Sequence, residues 1–351
     1  MVEDRYSRQA IFPGIGPEGQ RRLGKSFAVV IGCGGLGSHI AAALVRAGVG
    51  RVRVVDRDFI EYHNLHRQDL FDEADIRRGL PKAAAAERHL RQINSSVQVE
   101  GIVADANHTN IEELVSGADI IMDGLDNFEG RFLINDVALK RGIPWVYGAA
   151  IAATGMMMPV LPGRTPCLRC LSPSAPERAL AGTCDTAGIV GPLPRIVAGL
   201  QSVAALKLLI GTHEAEQYLT VIDVWQGTFH RFKTSLRPGC PACEGRYEYL
   251  EGKLGSEATS LCGQNVVQVR GHGGLSLPEL ATRLEAVAEN VTLNDFMLRF
   301  TVEGDMEMVV FPDGRALVRN TQDETLARGL YARYVGTQAC LGRIPGEEKR
   351  N

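Results

Sequence analysis

Val29-Val30-Ile31-Gly32-Cys33-Gly34-Gly35-Leu36-Gly37-Ser38 sets the architecture of this 351-residue chain. An apolar, β-branched run stops at a glycine-rich turn, and small and apolar residues at helical spacing follow. A second strand, Arg51-Val52-Arg53-Val54-Val55, ends at Asp56. Strand, turn, helix, strand and acid in this register make a nucleotide-binding βαβ unit. Gly32 and Gly34, with Gly35 beside them, permit a tight turn whose backbone N–H groups can approach a phosphate. Gly37 lets helix and strand pack closely, and the helix N-terminus favours the anion. Asp56 is placed to accept hydrogen bonds from ribose hydroxyls. Which nucleotide, and which chemistry, the motif leaves open.

The same alternation continues outward. A charged loop runs from Asp56-Arg57-Asp58 to Asn64-Leu65-His66-Arg67-Gln68. A helix is predicted over Lys82–Ile93, a strand at Val97–Val103, a helix at Asn110–Val115 and a strand at Asp119–Asp123. A helix near Glu129–Arg141 and a strand at Trp145–Tyr147 follow. Strands alternating with helices predict an open, mostly parallel sheet with helices on both faces. Residues 1–25 read as a polar, glycine-punctuated lead-in. From about 150 to 195 the chain is rich in Gly, Pro, Ser and Thr and reads as a long crossing segment. A helix at 195–210 and strands at Tyr218–Val224 and Thr228–Thr234 complete a first domain, 1–250. A linker at Glu251–Thr259 leads to a small α+β module, 260–351. That module is predicted as a strand at Val266–Arg270, a helix at Leu277–Glu289, three strands (Asp295–Val302, Glu307–Phe311, Arg315–Arg319) and a helix at Glu324–Tyr334.

Composition narrows the class. Hydrophobic residues at 45% and charged residues at 23% are ordinary for a globular protein, and a net charge of −3 argues against a nucleic-acid surface. The charged start, Met1-Val2-Glu3-Asp4-Arg5, has no apolar signal region. The apolar segment Ile196–Ile210 carries Gln201, Ser202 and Lys207. Its stripe of Val197, Leu200, Ala204 and Leu208 reads as a core helix, too short and too polar to span a membrane. The expected location is the cytoplasm, where the eight cysteines would not form disulfides. Four of them form two C-x-x-C pairs in turn-rich settings, Cys167/Cys170 and Cys240/Cys243. Two such knuckles match a tetrahedral Zn²⁺ site that staples distant segments. Neither pair opens a helix after a strand, which disfavours a redox dithiol.

Arg5-Tyr6-Ser7-Arg8-Gln9, the glycine turn, Arg46-Ala47-Gly48-Val49-Gly50, Asp56-Arg57-Asp58, Asn64–Gln68, Pro81-Lys82, Asp126-Asn127 with Arg131, and both cysteine pairs occur together and in order. This set, over roughly 5–248, resembles the ThiF/MoeB/HesA family of ubiquitin-activating-type adenylyltransferases. Within it, Gly182–Pro192 is most similar to the thiamine-pathway ThiF branch. The resemblance implies a Rossmann-like fold. It also implies adenylation of the C-terminal Gly-Gly carboxylate of a small ubiquitin-like sulfur-carrier protein, a step of thiamine or molybdopterin biosynthesis. ATP and Mg²⁺ are the implied cofactors. A cysteine desulfurase or other sulfur donor, and a second copy of the chain, are the implied partners. A carboxylate is already an anion, so the step needs in-line positioning and charge neutralisation, not a general base.

The resemblance gives each residue a task. Arg67 and Lys82 would hold the triphosphate, with Asn64 and Gln68 orienting it. Asp126 would bind Mg²⁺ and Asp56 the ribose, with Asp58 and Arg131 as neighbours. Arg8 would reach into the partner's site of a homodimer. Cys184, in the crossing segment, is either a thiol that takes the activated carboxylate or a small residue on a loop closing over the carrier tail. Cys33 reads as a small packing residue, Cys262 and Cys340 as half-buried bystanders, and His272 as part of a glycine-rich loop. An NAD-dependent dehydrogenase would use the glycine turn and Asp56, yet it leaves Arg8, Asn64–Gln68, Lys82 and Asp126 without a task. Adenylation of a peptide in natural-product synthesis, or of a tRNA-bound carboxylate, are the other substrates weighed. A non-catalytic scaffold would be expected to lose the site's charges, which are all present.

Overall fold

The structure, a computed structural model, describes residues 4–174, 187–212, 217–254, 258–261, 265–269, 271 and 274–336. Two compact units divide the chain, Met1–Gly255 and Ser256–Asn351.

The first unit is built on eight strands: β1 (Phe27–Ile31), β2 (Arg51–Asp56), β3 (Gln98–Val103), β4 (Ile120–Asp123), β5 (Trp145–Ile151), β6 (Thr154–Val160), β7 (Tyr218–Asp223) and β8 (Thr228–Lys233). Their order across the sheet is β3-β2-β1-β4-β5-β6-β7-β8. The first five are parallel, and β6, β7 and β8 extend them antiparallel. After β3 the chain crosses to the far side of β1, so the strand order reverses between β1 and β4. In open α/β sheets the carboxyl ends of the strands at such a point form the ligand crevice.

Both faces are covered, and β1 is buried throughout. Helices Gly37–Ala47, Lys82–Ile93 and Leu193–Ile210 supply Ile40, Leu44, Leu90 and Val197 to one core. Helix Phe128–Arg141 supplies Phe132, Ile134 and Val137 to the other, where Trp145, Cys167 and Cys240 also pack. Continuous Val/Ile runs follow from burial on both faces.

Several elements differ from the sequence reading. The start of the supposed crossing segment is β6, which pairs along its length with β5 and lies inside the sheet. Its sequence, Thr-Gly-Met-Met-Met-Pro-Val, shows no period-2 alternation. Gly155 is there because a side chain would strike Val197 of the covering helix. Residues 1–25 contain helices Ser7–Ile11 and Gly16–Leu23. Helix Leu193–Ile210 is long and apolar enough to cross a membrane by length and composition, but half of that span is buried inside the unit. Its polar Gln201 and Ser202 are buried too.

The second unit is a six-stranded sheet of order β11-β12-β13-β14-β10-β9, antiparallel at every pairing. The strands are β9 (Ala258–Leu261), β10 (Val266–Val269), β11 (Glu289–Leu293), β12 (Leu298–Val302), β13 (Met306–Val310) and β14 (Ala316–Arg319). Helices Leu277–Leu284 and Glu324–Tyr334 give Leu280, Leu284, Leu330 and Tyr334 to its core, around Phe300. Two strands depart from expectation. β9 begins in the last residues of the supposed linker and runs to Leu261, and β11 starts at Glu289, the end of the supposed helix Leu277–Glu289. β11 is a mostly exposed edge strand containing Asn290 at φ +54°, so it carries neither apolar alternation nor a clean strand signal.

Candidate functional site

The crevice at the strand reversal is lined by the glycine turn. Gly32 adopts φ +88°, and its carbonyl lies so close to Gly37 and Gly124 that a Cβ on either would collide with it. Turn, helix and the loop after β4 therefore meet backbone to backbone. Helix Gly37–Ala47 follows Leu36 with no side-chain cap; the Ser38 N–H is bonded to the Gly34 carbonyl at 3.1 Å, and the N-terminal end of the helix faces the turn, where an anion is favoured. Asp56 secures the turn: Oδ2 accepts from the Cys33 N–H at 2.5 Å and Oδ1 from the Asp58 N–H at 2.7 Å. Burial raises its carboxyl above the usual range, opposed by Lys82 and these two amides.

Pro81 positions Lys82 at the start of helix Lys82–Ile93, and the Lys82 N–H is bonded to the Asp58 carbonyl at 2.8 Å. Lys82 is only 7% exposed. Its Nζ lies 3.3 Å from Asp58 Oδ2. Burial opposes the charge, but Asp58, Asp56 and Asp126 hold the ammonium above its ordinary range. Arg57 is half-buried and faces Asp105 at 2.9 Å. Asp126 itself is exposed at the mouth of the crevice. Asn127, next to it, caps helix Phe128–Arg141 by accepting from the Gly130 N–H at 2.8 Å.

The loop Asn64–Gln68 closes the other side. Asn64 is buried and accepts from the Glu61 N–H at 3.0 Å, so it shapes the loop. Gln68 is buried beside Gly34, its Oε1 without a partner among the described residues. Arg67 is tied through Nη1 to the His63 carbonyl at 2.7 Å. Arg8 lies elsewhere. Its neighbour Gln9 donates to the Ala47 carbonyl at 2.8 Å, at the far end of the helix that begins at the turn. At 1.5 Å per residue that helix is about 16 Å long. Arg8 is exposed and makes no hydrogen bond to another described residue. Cys184, Cys262, Cys340 and His272 lie outside the described residues, and Cys33 is a buried packing residue.

The four knuckle cysteines come together. Cys167 Sγ is 3.8 Å from Cys170, 3.6 Å from Cys240 and 3.5 Å from Cys243, and Cys170 is 3.6 Å from Cys243. A tetrahedral thiolate site with metal–sulfur bonds of about 2.3 Å needs sulfurs about 3.8 Å apart. Burial and the neighbouring thiols push Cys243 up to about 12 and Cys167 higher still, a cost that a bound divalent cation removes. This four-cysteine cluster can hold a metal.

Two functional features had no sequence signal. Asp123, at the end of β4, is fully buried against Arg131, its Oδ2 accepting from Arg131 Nε at 3.1 Å. Gln201 is fully buried and donates to the carbonyls of Asp123 and Val146. A glutamine interrupting an apolar helix was the only available hint.

The comparisons accord with this geometry. A family model described as "ThiF family" matches residues 6–242. The chain is 44% identical over 337 residues to the sulfur carrier protein ThiS adenylyltransferase of Bacillus subtilis, covering 95% of this chain and 99% of that one. It is 40% identical to the sulfur carrier protein adenylyltransferase of Thermus thermophilus, covering 68% and 90%. Among solved structures it resembles E. coli MccB with MccA-N7isoASN at a TM-score of 0.61 and 25% identity, covering 70% of this chain and 75% of that one. No dehydrogenase assignment survives these matches. The chain belongs to the ThiF family.

Proposed function

We propose that this protein adenylates the C-terminal carboxylate of a small ubiquitin-like sulfur-carrier protein, releasing pyrophosphate, in a thiamine or molybdopterin pathway. The observation that carries this reading is Lys82, a buried ammonium among Asp56, Asp58 and Asp126 beside an uncapped helix N-terminus. The turn amides, Lys82 and Arg67 bind and neutralise the triphosphate. Asn64 and Gln68 shape the wall on which it rests, and Asp56 faces the ribose. A carrier carboxylate oxygen attacks the α-phosphorus as the bond to the bridging oxygen breaks and pyrophosphate leaves. The acids around Lys82 leave a negative surplus suited to Mg²⁺, which would be held at Asp126 and would offset charge on the phosphates.

Arg8 belongs to the site of a second copy in this reading. It sits at the opposite end of an 11-residue helix from its own turn, beyond side-chain reach. Ile11, Phe12, Ile196 and Val203 are exposed apolar side chains that a homodimer could cover. The sulfur spacing fits Zn²⁺ in a structural role. Cys184 would receive the activated acyl group before sulfur transfer, with a cysteine desulfurase or similar enzyme as sulfur donor.

The test is ATP–pyrophosphate exchange that depends on a Gly-Gly-terminated carrier. Arg67→Ala and Asp126→Ala should each abolish it with the fold intact. Full exchange in both variants would falsify the assignment. Exchange driven by a short peptide but by no carrier would favour peptide adenylation instead.

A further inference from the structure

We infer that Gln201 is a positioning residue for the metal-binding loop, fixing Asp126 relative to the glycine turn. The inference rests on the reading of Asp126 as the Mg²⁺ ligand.

The backbone ladder between β4 and β5 has only two rungs, Ile121↔Trp145 and Met122↔Val146. Past Met122 the strands are joined by side chains. Gln201 Nε2 donates to the Asp123 carbonyl on one side at 2.9 Å and to the Val146 carbonyl on the other at 3.2 Å. Asp123 Oδ2 accepts from the Gly148 N–H at 3.2 Å, and Arg131 Nη2 donates to the carbonyls of Leu125 and Gly148 at 2.7 and 3.0 Å. Asp123 Oδ1 also accepts from the Leu125 N–H at 3.0 Å. Leu125 immediately precedes Asp126; its N–H is held by the Asp123 carboxylate and its carbonyl by Arg131, and Gln201 bonds the backbone carbonyl of the same Asp123.

Gln201 lies on a helix that also touches the glycine turn. Pro194 packs on Gly35, and Arg195 bonds His39 Nε2 at 3.3 Å while His39 Nδ1 meets the Gly35 carbonyl at 2.6 Å. One rigid element thus contacts both halves of the crevice, two helical turns apart. That bar backs the contact that the turn and the loop after β4 make directly through Gly32 and Gly124. A methyl group on Gly148 would overlap the Gln201 amide, so this position reports on the same contact. Among the described residues Gln201 Oε1 has no hydrogen-bond partner, an arrangement that stability alone does not favour.

The experiment is Mn²⁺ binding by the full chain, followed by electron paramagnetic resonance in the presence of a non-hydrolysable ATP analogue. Gln201→Met keeps the side-chain length and removes the donor. It should weaken Mn²⁺ binding at least tenfold and alter the metal's signal, with metal-free analogue affinity changed less than threefold. Gly148→Ala, which keeps every polar group, should reproduce the effect and serves if Gln201→Met does not fold. Ser202→Ala, whose hydroxyl bonds only the Ala198 carbonyl, should bind as the native chain does. Native Mn²⁺ binding in Gln201→Met or Gly148→Ala overturns the inference, as does an equal loss of metal-free nucleotide. If Asp126→Asn also binds Mn²⁺ normally, the metal reading of Asp126 is what fails.

Discussion

Lys82 Nζ sits 3.3 Å from the Asp58 carboxylate, buried, with Asp56 and Asp126 also acting on it. Removing one partner of such a set leaves the others uncompensated. Lys82→Met should reduce carrier-dependent exchange by about a hundredfold or more, since one charge-stabilising contact at a phosphoryl centre is worth that much. It should also lower the thermal midpoint, because Asp56 and Asp58 then lose a cationic neighbour, with Arg57 remaining 3.6 Å from Asp58. The folded pKa of Lys82 lies above its unfolded value. Its stabilising contribution is therefore complete below about pH 10 and is lost only as pH rises through the folded value. An alkaline fall in exchange centred between pH 8 and 9 would have to come from another group.

The segment that carries Cys167 and Cys170 and the one that follows Cys243 are both tied to helix Phe128–Arg141 and to each other. The Leu168 N–H is held by Asn135 at 2.9 Å, the Tyr249 N–H by Asp136 at 3.0 Å, and Arg169 pairs with Glu248 at 2.8 Å. Cys240→Ser should lose the bound metal by elemental analysis and lower the melting temperature by about 10 °C. A chelator should do the same to the native protein and leave Cys240→Ser unchanged.

Burial pushes the Asp136 carboxyl up to about 6, against the two amides that bond it. The folded state therefore binds a proton more tightly than the unfolded chain, whose carboxylate titrates near 4. Between those values stability falls as pH rises, and above pH 6 the ionised group costs on the order of 2 kcal/mol. Denaturant titrations of Asp136→Asn should show a flatter pH 4–6 profile than the native protein. An identical profile would show that Asp136 does not titrate there.

Arg8 acting across a dimer predicts complementation. Arg8→Ala and Asp126→Ala should each be inactive alone. Refolded together in equal amounts they should recover about a quarter of native exchange, because half the dimers are mixed and each carries one intact site. No recovery would place Arg8 in its own chain's site or outside catalysis.

Cys184→Ser separates adenylation from sulfur transfer. Exchange should stay at the native level, and formation of the carrier thiocarboxylate should fall. Loss of exchange itself would assign Cys184 to the nucleotide step.

Much of the site was legible because its chemistry is local. Gly32, Gly34, Gly37 and Asp56 sit on one βαβ unit, where turn, cap and strand end are set by neighbours in the chain. Lys82 follows Pro81 at a helix start, and each cysteine pair is a knuckle in itself. β6, β9 and β11 were not legible. β6 gains its stability from β5 and β7 on either side and from Val197 above it, so its own residues show no alternation. β11 is an edge with no buried stripe to betray it.

From the order of residues alone came the nucleotide-binding unit, the acids and bases of the crevice, and the metal-ready thiols. Short-range backbone geometry and ligand spacing specify those without reference to distant chain. The three-dimensional fold was needed to put Arg8 near the end of helix Gly37–Ala47 that lies opposite the glycine turn. It was needed also to bury Gln201 against the carbonyls of Asp123 and Val146. Such contacts join segments far apart in sequence. They form only because packing a whole sheet between helices leaves specific backbone groups that must find partners.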